Sequence, residues 1–176
     1  MSRYRRNYLA GGTFFFTVKL ADPKLRLLVE HINLLRQAYA SVQKRYPFET
    51  VAICVMPNHL HAVWTLPGGD SDYSLRWRLI KTGFSNHFSA SNTLSASKQR
   101  RHEKGIWQRR FYEHTVRDNA DLQRCVDYVH FNPVKHGFAA SVKDWPFSSF
   151  HRFVRDGLLP PDWGGTSETL VMNFGE

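Results

Sequence analysis

Phe48-Glu49-Thr50-Val51-Ala52-Ile53-Cys54-Val55-Met56-Pro57-Asn58-His59-Leu60-His61-Ala62-Val63-Trp64-Thr65-Leu66 decides the fold. Residues 48–56 and 58–66 are rich in β-branched and aromatic types, which favour a pleated, half-buried strand. Met56-Pro57-Asn58 between them reads as a tight turn. In a strand, alternate side chains point to opposite faces. His59 and His61 therefore project together, while Leu60, Ala62, Trp64 and Leu66 point the other way into a core.

Outward from this pair, Gly11-Gly12-Thr13-Phe14-Phe15-Phe16-Thr17-Val18-Lys19-Leu20 reads as an earlier strand. Pro23 opens a helical stretch to about Arg45, with Leu25, Leu28, Ile32, Leu35, Tyr39 and Val42 on one face and Pro47 closing it. Pro67-Gly68-Gly69-Asp70 is an exit loop. Trp77, Ile80, Phe84 and Phe88 mark a second helix that Asp72 is placed to cap; Gly83 weakens it slightly. Residues 107–117 read as a fourth strand. Asp118-Asn119 then caps a third helix through Leu122, Cys125, Val126 and Val129, which Pro133 ends and Gly137 finishes. Trp145, Phe147, Phe150 and Phe153 give the tail aromatics with which to pack back on the body. The order β-α-β-β-α-β with an added C-terminal helix predicts an α+β, ferredoxin-like sandwich: an antiparallel sheet with helices on one face.

The 176 residues are of a size for one domain, 1–176, with a Ser-rich and then basic flexible loop at 89–105. Hydrophobic residues at 42% and charged residues at 22% exclude a disordered or collagen-like chain. There is no internal repeat and no run approaching the ~20 apolar residues of a membrane span. The N-terminus lacks an apolar core after its arginines, and Cys54 and Cys125 sit inside apolar runs as reduced core residues. A cytoplasmic location is expected.

The net charge is +9, and two clusters carry +8 of it. Arg3, Arg5 and Arg6 form one; residues 98–117, with Arg109, Arg110 and Arg117, form the other. Tyr4, Tyr8, Trp107, Phe111 and Tyr112 are interleaved. Arginine mixed with aromatics suits a nucleic-acid single strand, where phosphates are neutralised and bases stack. A solvated basic surface is the plainer reading.

Two imidazoles side by side on a rigid strand are half of a metal site; the plainer reading is two histidines on a half-exposed sheet face. Tyr128 and Asn132 share a face of the third helix. A tyrosine hydroxyl is a nucleophile if a cation lies near it, and the Asn132 carboxamide oxygen can complete a divalent site. Equally, Tyr128 is a core or rim aromatic and Asn132 a C-terminal cap. With no cysteine pair at ligand spacing, zinc fits less well than a hard ion.

Met56-Pro57-Asn58-His59-Leu60-His61-Ala62-Val63-Trp64 resembles the His-hydrophobic-His signature of the HUH endonucleases, and Val126-Asp127-Tyr128-Val129-His130-Phe131-Asn132-Pro133-Val134-Lys135-His136-Gly137 resembles the catalytic-tyrosine helix of single-tyrosine transposases. With Tyr4-Arg5-Arg6, the 11–18 block, Ile106–His114 and Asp144–Phe150 in order, residues 3 to about 165 resemble the REP-associated tyrosine transposases, which are linked to repetitive extragenic palindromes (REPs) in bacteria. The resemblance implies Tyr128 as nucleophile on the added helix. It implies His59, His61 and Asn132 as ligands of Mg²⁺ or Mn²⁺. Single-stranded DNA with palindrome hairpins would be the partner. Arg3, Arg5, Arg6, Arg109, Arg110 and Lys135 are the expected DNA contacts. A monomer with no obligate protein partner is expected. The alternatives are a non-catalytic single-strand-binding module and a metal-dependent hydrolase with water as its nucleophile.

Overall fold

The computed structural model describes residues 7–89, 104–165 and 174. Its four strands are β1 (Thr13–Lys19), β2 (Glu49–Val55), β3 (His59–Thr65) and β4 (Tyr112–Thr115). They form one antiparallel sheet in the order β2-β3-β1-β4. This is the strand order of a ferredoxin-like sandwich, reached from the alternating apolar pattern of the three long strands.

The helices are α1 (Leu27–Glu30), α2 (Ile32–Arg45), α3 (Tyr73–Ser85), α4 (Asn119–Lys135) and α5 (Phe150–Arg155), with a 3₁₀ turn at Val142–Asp144. Phe14, Phe16, Val18, Leu60, Ala62 and Trp64 face α2 and α3 in one core. Trp64 stacks on Trp77 at 4.1 Å, and Phe16 meets both indoles edge-on. Truncating a buried ring of this kind costs about 3–5 kcal/mol. Phe15, Ala52, Cys54 and Val63 face Cys125, Val126, Tyr128 and Val129 of α4 in a second core. The two sandwich helices thus cover one face and the added helix covers the other. Both cysteines are buried and free.

Gly83 has a reason to be glycine: a Cβ there would come within 3.1 Å of the Ala38 Cβ, so its absence lets α3 approach α2 closely.

Three elements differ from the sequence reading. The stretch expected to run from Pro23 to Arg45 is broken at His31, whose backbone leaves helical geometry at φ −117°, ψ 37°. Its ring meets Phe88 edge-on at 5.0 Å. The fourth strand covers only Tyr112–Thr115 of the expected 107–117, because the Lys81 ammonium takes the carbonyls of Gln108 and Arg109 toward α3. Trp107 keeps a lone bridge to Leu20. Pro133 does not end α4 but lies inside it, and the helix runs to Lys135. Gly137, at φ 70°, ends it instead: Phe138 N–H donates to the Pro133 carbonyl at 2.8 Å and Gly137 N–H to Val134 at 3.0 Å. This paired return of amides to the last turn is the Schellman arrangement that glycine permits. The 89–105 loop lies outside the described residues except at 89, 104 and 105.

The start of α4 is tied to β4. Asp118 caps the helix by accepting from Asp121 N–H at 2.8 Å. Asp121, 2% exposed, accepts from His114 Nε2 at 2.9 Å and from the amide and guanidinium of Arg117. Burial pushes the Asp121 carboxyl up, but these donors more than reverse it and hold it at about 2. A carboxylate held low in the folded state adds stability above its ordinary value of 3.8, and that stability is lost as pH falls toward 2. In urea unfolding, the stability gap between wild type and Asp121→Asn should therefore narrow by roughly 1–2 kcal/mol between pH 5 and pH 2.

Candidate active site

The pairing of β1 with β3 sets Thr17 opposite His61 and Lys19 opposite His59. Both histidines lie on the face that α4 covers, and both are buried. Their ring centroids are 5.0 Å apart. His61 Nδ1 and Thr17 Oγ1 are 2.9 Å apart. The Thr17 hydroxyl gives its one proton to the Phe174 carbonyl at 2.6 Å, so toward His61 it accepts. His61 therefore carries its proton on Nδ1.

The same logic fixes His59. Its Nδ1 lies 2.6 Å from Asn58 Oδ1, an atom that only accepts. The Asn58 amide is turned that way because its Nδ2 donates to the Pro23 carbonyl. Both rings thus present the Nε2 lone pair, the tautomer a metal ligand needs, and both are oriented by a neighbour on the far nitrogen.

The α4 helix brings the rest. Tyr128 is 1% exposed, with its ring 5.3 Å from His61 and edge-on to it. Its hydroxyl accepts from Lys135 Nζ at 3.2 Å and from Phe174 N–H at 3.5 Å. Lys135, two turns further along, also lies 4.7 Å over the Tyr128 ring. Asn132 is fully buried; its Nδ2 donates to the Tyr128 carbonyl at 3.4 Å, and its Oδ1 has no hydrogen-bond partner among the described residues. A buried amide oxygen left so is costly, and it suits a hard cation.

The histidines, Tyr128 and Lys135 are therefore assembled in one place, with Asn132 one helical turn beyond Tyr128 on α4. Arg109 and Arg110 are exposed, and Arg109 lines a groove of about 710 Å³ with Arg78, Lys81 and Lys104 on the α3 side of the sheet. Arg3, Arg5 and Arg6 lie outside the described residues.

His136 is a neighbour the sequence reading missed. It continues the Tyr128–Asn132 series by one more turn, and its ring lies 5.1 Å from His59. The series was visible at spacing four, but a helix taken to end at Pro133 hides it.

Two places among the described residues gather side chains able to ligate a divalent ion. Beside the histidine pair there is His114, Asp121 and Cys125, whose ligand atoms lie within 4.8 Å of one another. There Asp121 is already engaged by His114, Arg117 and Arg124. Burial, then the Asp121 charge, push the Cys125 thiol up to about 12. That cluster works as an ion-pair network. The Nε2 atoms of His59 and His61 are not engaged in that network, and the two rings lie 5.0 Å apart.

His130 sits outside this chemistry. Its Nε2 lies 2.9 Å from Ser149 Oγ, and burial, then the charges of Arg152 and His151, hold it down at about 3, so it stays neutral and joins α4 to α5.

Residues 24–132 match the model of the family described as Transposase IS200 like. The chain belongs to the IS200-like transposases. Within them it groups with the REP-associated tyrosine transposases. It is 47% identical to the REP-associated tyrosine transposase of Escherichia coli over 94% of this chain and 92% of the relative. It is 46% identical to a Haemophilus influenzae protein of the same description over 97% and 98%. A solved structure of a REP-associated tyrosine transposase bound to a REP hairpin superposes with a TM-score of 0.87 at 45% identity, covering 100% of this chain and 98% of that one. This transposase is thus an enzyme of the DNA-processing class. No helix among its described residues is long and apolar enough to cross a membrane.

The Phe174 ring lies 5.0 Å from Tyr128, 4.9 Å from Phe15 and 5.6 Å from His114, and so covers the phenol. In Phe174→Ala, nitration of Tyr128 by tetranitromethane should rise several-fold over wild type, read by mass spectrometry of the Tyr128 peptide.

Proposed function

We propose that this transposase cuts and rejoins single-stranded DNA beside hairpins of palindromic repeats, with Tyr128 as a covalent nucleophile. The observation that carries this is the Tyr128 hydroxyl, held at 3.2 Å by the Lys135 ammonium while its ring lies against His61. The hairpin partner is supported by the REP-bound relative.

The chemistry follows from these groups. The phenol gives up its proton as its oxygen attacks the scissile phosphorus in line. Lys135 stabilises the negative charge on that oxygen and on the incoming phosphate. The P–O3′ bond breaks, the leaving oxygen takes a proton to become a free 3′-hydroxyl, and the 5′-phosphate stays on Tyr128. The phosphotyrosine keeps the energy of the phosphodiester, so a 3′-hydroxyl can reverse the step and join strands without a nucleotide cofactor. His59 Nε2, His61 Nε2 and Asn132 Oδ1 would hold Mg²⁺ or Mn²⁺. When bound, such an ion supplies Lewis-acid polarisation of the phosphate oxygens. Arg109, Arg110 and Lys135, with the N-terminal Arg3, Arg5 and Arg6, are assigned to phosphate contacts.

The working unit is a monomer in this reading. Of the two sheet edges, β2 and β4, the outer edge of the longer β2 is already taken. Val55 N–H donates to the Phe147 carbonyl at 2.8 Å, and Ser149 N–H to the Ile53 carbonyl at 2.8 Å. Trp145 Nε1 donates to the Val55 carbonyl at 2.9 Å.

The test is a denaturing gel for a protein–DNA adduct with labelled hairpin DNA and Mg²⁺ or Mn²⁺. Tyr128→Phe should abolish the adduct and leave hairpin binding within about twofold. Cleavage that survives in Tyr128→Phe would assign the nucleophile to water, and binding with neither product would make the chain a non-catalytic module. In Thr17→Val the acceptor for His61 Nδ1–H is gone. The Mn²⁺ concentration giving half-maximal adduct should then rise about 10–100-fold.

A further inference from the structure

A file of aromatic rings starts at the histidine pair and runs outward. His136 meets His59 edge-on, at 76°. Beyond it the planes turn little: 33° from His136 to Phe138, with centroids 6.0 Å apart, and 30° from Phe138 to Trp145, at 5.7 Å. Phe147 closes the file edge-on at 5.7 Å and 84°.

These rings stand on a rigid support. Phe138 follows the glycine cap of α4, and its amide is bound to the Pro133 carbonyl at 2.8 Å. The Trp145 indole donates to Val55, and the Trp145 carbonyl pairs with His151 Nε2 at 2.8 Å. Yet Phe138 is 37% exposed, among the most exposed of the large hydrophobic side chains described. Lys135 precedes it by one turn, and Lys143, just before Trp145, is exposed. The adjacent Asp144 carboxylate is held by the Ser141 hydroxyl at 2.7 Å.

We infer that Phe138 and Trp145, with His136, form a stacking rail for unpaired DNA bases next to the phosphate that Tyr128 attacks. This rests on the function proposed above. Continuity decides the occupant: the file begins on a histidine of the candidate metal site, so whatever lies on it is the strand flanking the reacting phosphate. Inserting a base between two rings needs about 7 Å between them, more than either gap, so bases lie on the exposed ring faces. Every base has a π-face, so such a rail grips single strands with little regard to sequence. A duplex keeps its base faces stacked internally and offers the rail only edges and backbone. Because the rings are already ordered, little side-chain freedom is lost on binding. The rail therefore favours unpaired DNA beside a hairpin over the hairpin stem, and it sets where the strand lies against Tyr128. Phe138 and Trp145 are positioning residues, not catalytic ones.

The experiment uses the full chain and two hairpin oligonucleotides, one blunt and one with unpaired flanks carrying 2-aminopurine at each position in turn. Binding should quench the probe at the position on the rail in wild type, and not in Phe138→Leu, which keeps apolar bulk and removes the ring. Phe138→Leu should weaken the flanked hairpin about tenfold and leave the blunt hairpin unchanged, and Phe138→Trp should restore both quenching and affinity. An abasic site at the quenched position should cost wild type about the same and add nothing in Phe138→Leu. Equal weakening of both hairpins, or affinity in Phe138→Leu equal to wild type, overturns the rail. So does a change in sedimentation with DNA binding unaltered, which would assign Phe138 to a contact between two copies. Adduct formation by the unsubstituted protein reads the Tyr128 chemistry separately. An adduct with flank-indifferent binding sinks the rail alone; Phe138-dependent flank binding without an adduct upholds the rail as a binding surface and sinks the tyrosine mechanism.

Discussion

The register of β1 against β3 is the constraint on which the rest of the structure depends. It sets Thr17 opposite His61 and Phe16 opposite Ala62. A slip of one residue would turn every side chain of one strand to the other face. Both faces resist that slip, for different reasons. On one, Phe14, Phe16 and Trp64 are locked against the helices by ring packing. On the other, Thr17 has one hydroxyl proton to give, and its direction decides the tautomer of His61. The aromatic core thus holds in place a proton arrangement on the opposite side of the sheet.

The α4 helix depends on that face in turn. Phe15, Ala52, Cys54 and Val63 give it a floor, and it carries Tyr128, Asn132, Lys135 and His136 at intervals that fall on one side. Pro133 sits among these residues without ending the helix. Proline lacks the amide that would bind the carbonyl four residues back, and a single missing bond is tolerable where the turn after it is closed by Gly137. The extra turn is what puts Lys135 on the phenol and His136 on His59.

How much of this was legible in the sequence depends on the range of the interaction. Strand alternation in 13–19 and 59–65 reports directly which side chains share a face, and the caps at Asp72 and Asp118 are local chemistry read within three residues. The break at His31, the shortening of β4 by Lys81 and the passage of α4 through Pro133 were not legible. Each is settled by a partner distant in sequence or by a cap downstream. In the site, the His59–His61 pair announced itself through period two. Nothing local marks Tyr128 among 7 tyrosines, so its assignment came from resemblance to a family motif. His136 was hidden by a misplaced helix end, and the hydrogen bond from Thr17 to Phe174 joins residues more than a hundred positions apart, which no local pattern shows.

The covering of the β2 edge has a consequence for synthesis. The segment that pairs with Ile53 is Ser149, 96 residues later in the chain. At about 5–20 residues per second, the ribosome delivers the strand roughly 5–20 s before its cover. Over that interval the emerging hairpin carries an open row of amides and carbonyls, the feature of a nascent sheet most prone to pair with a neighbour on the same messenger. The segment that closes that row lies between α4 and α5, so all four strands and the helix that carries Tyr128 have been made before the sheet edge is covered.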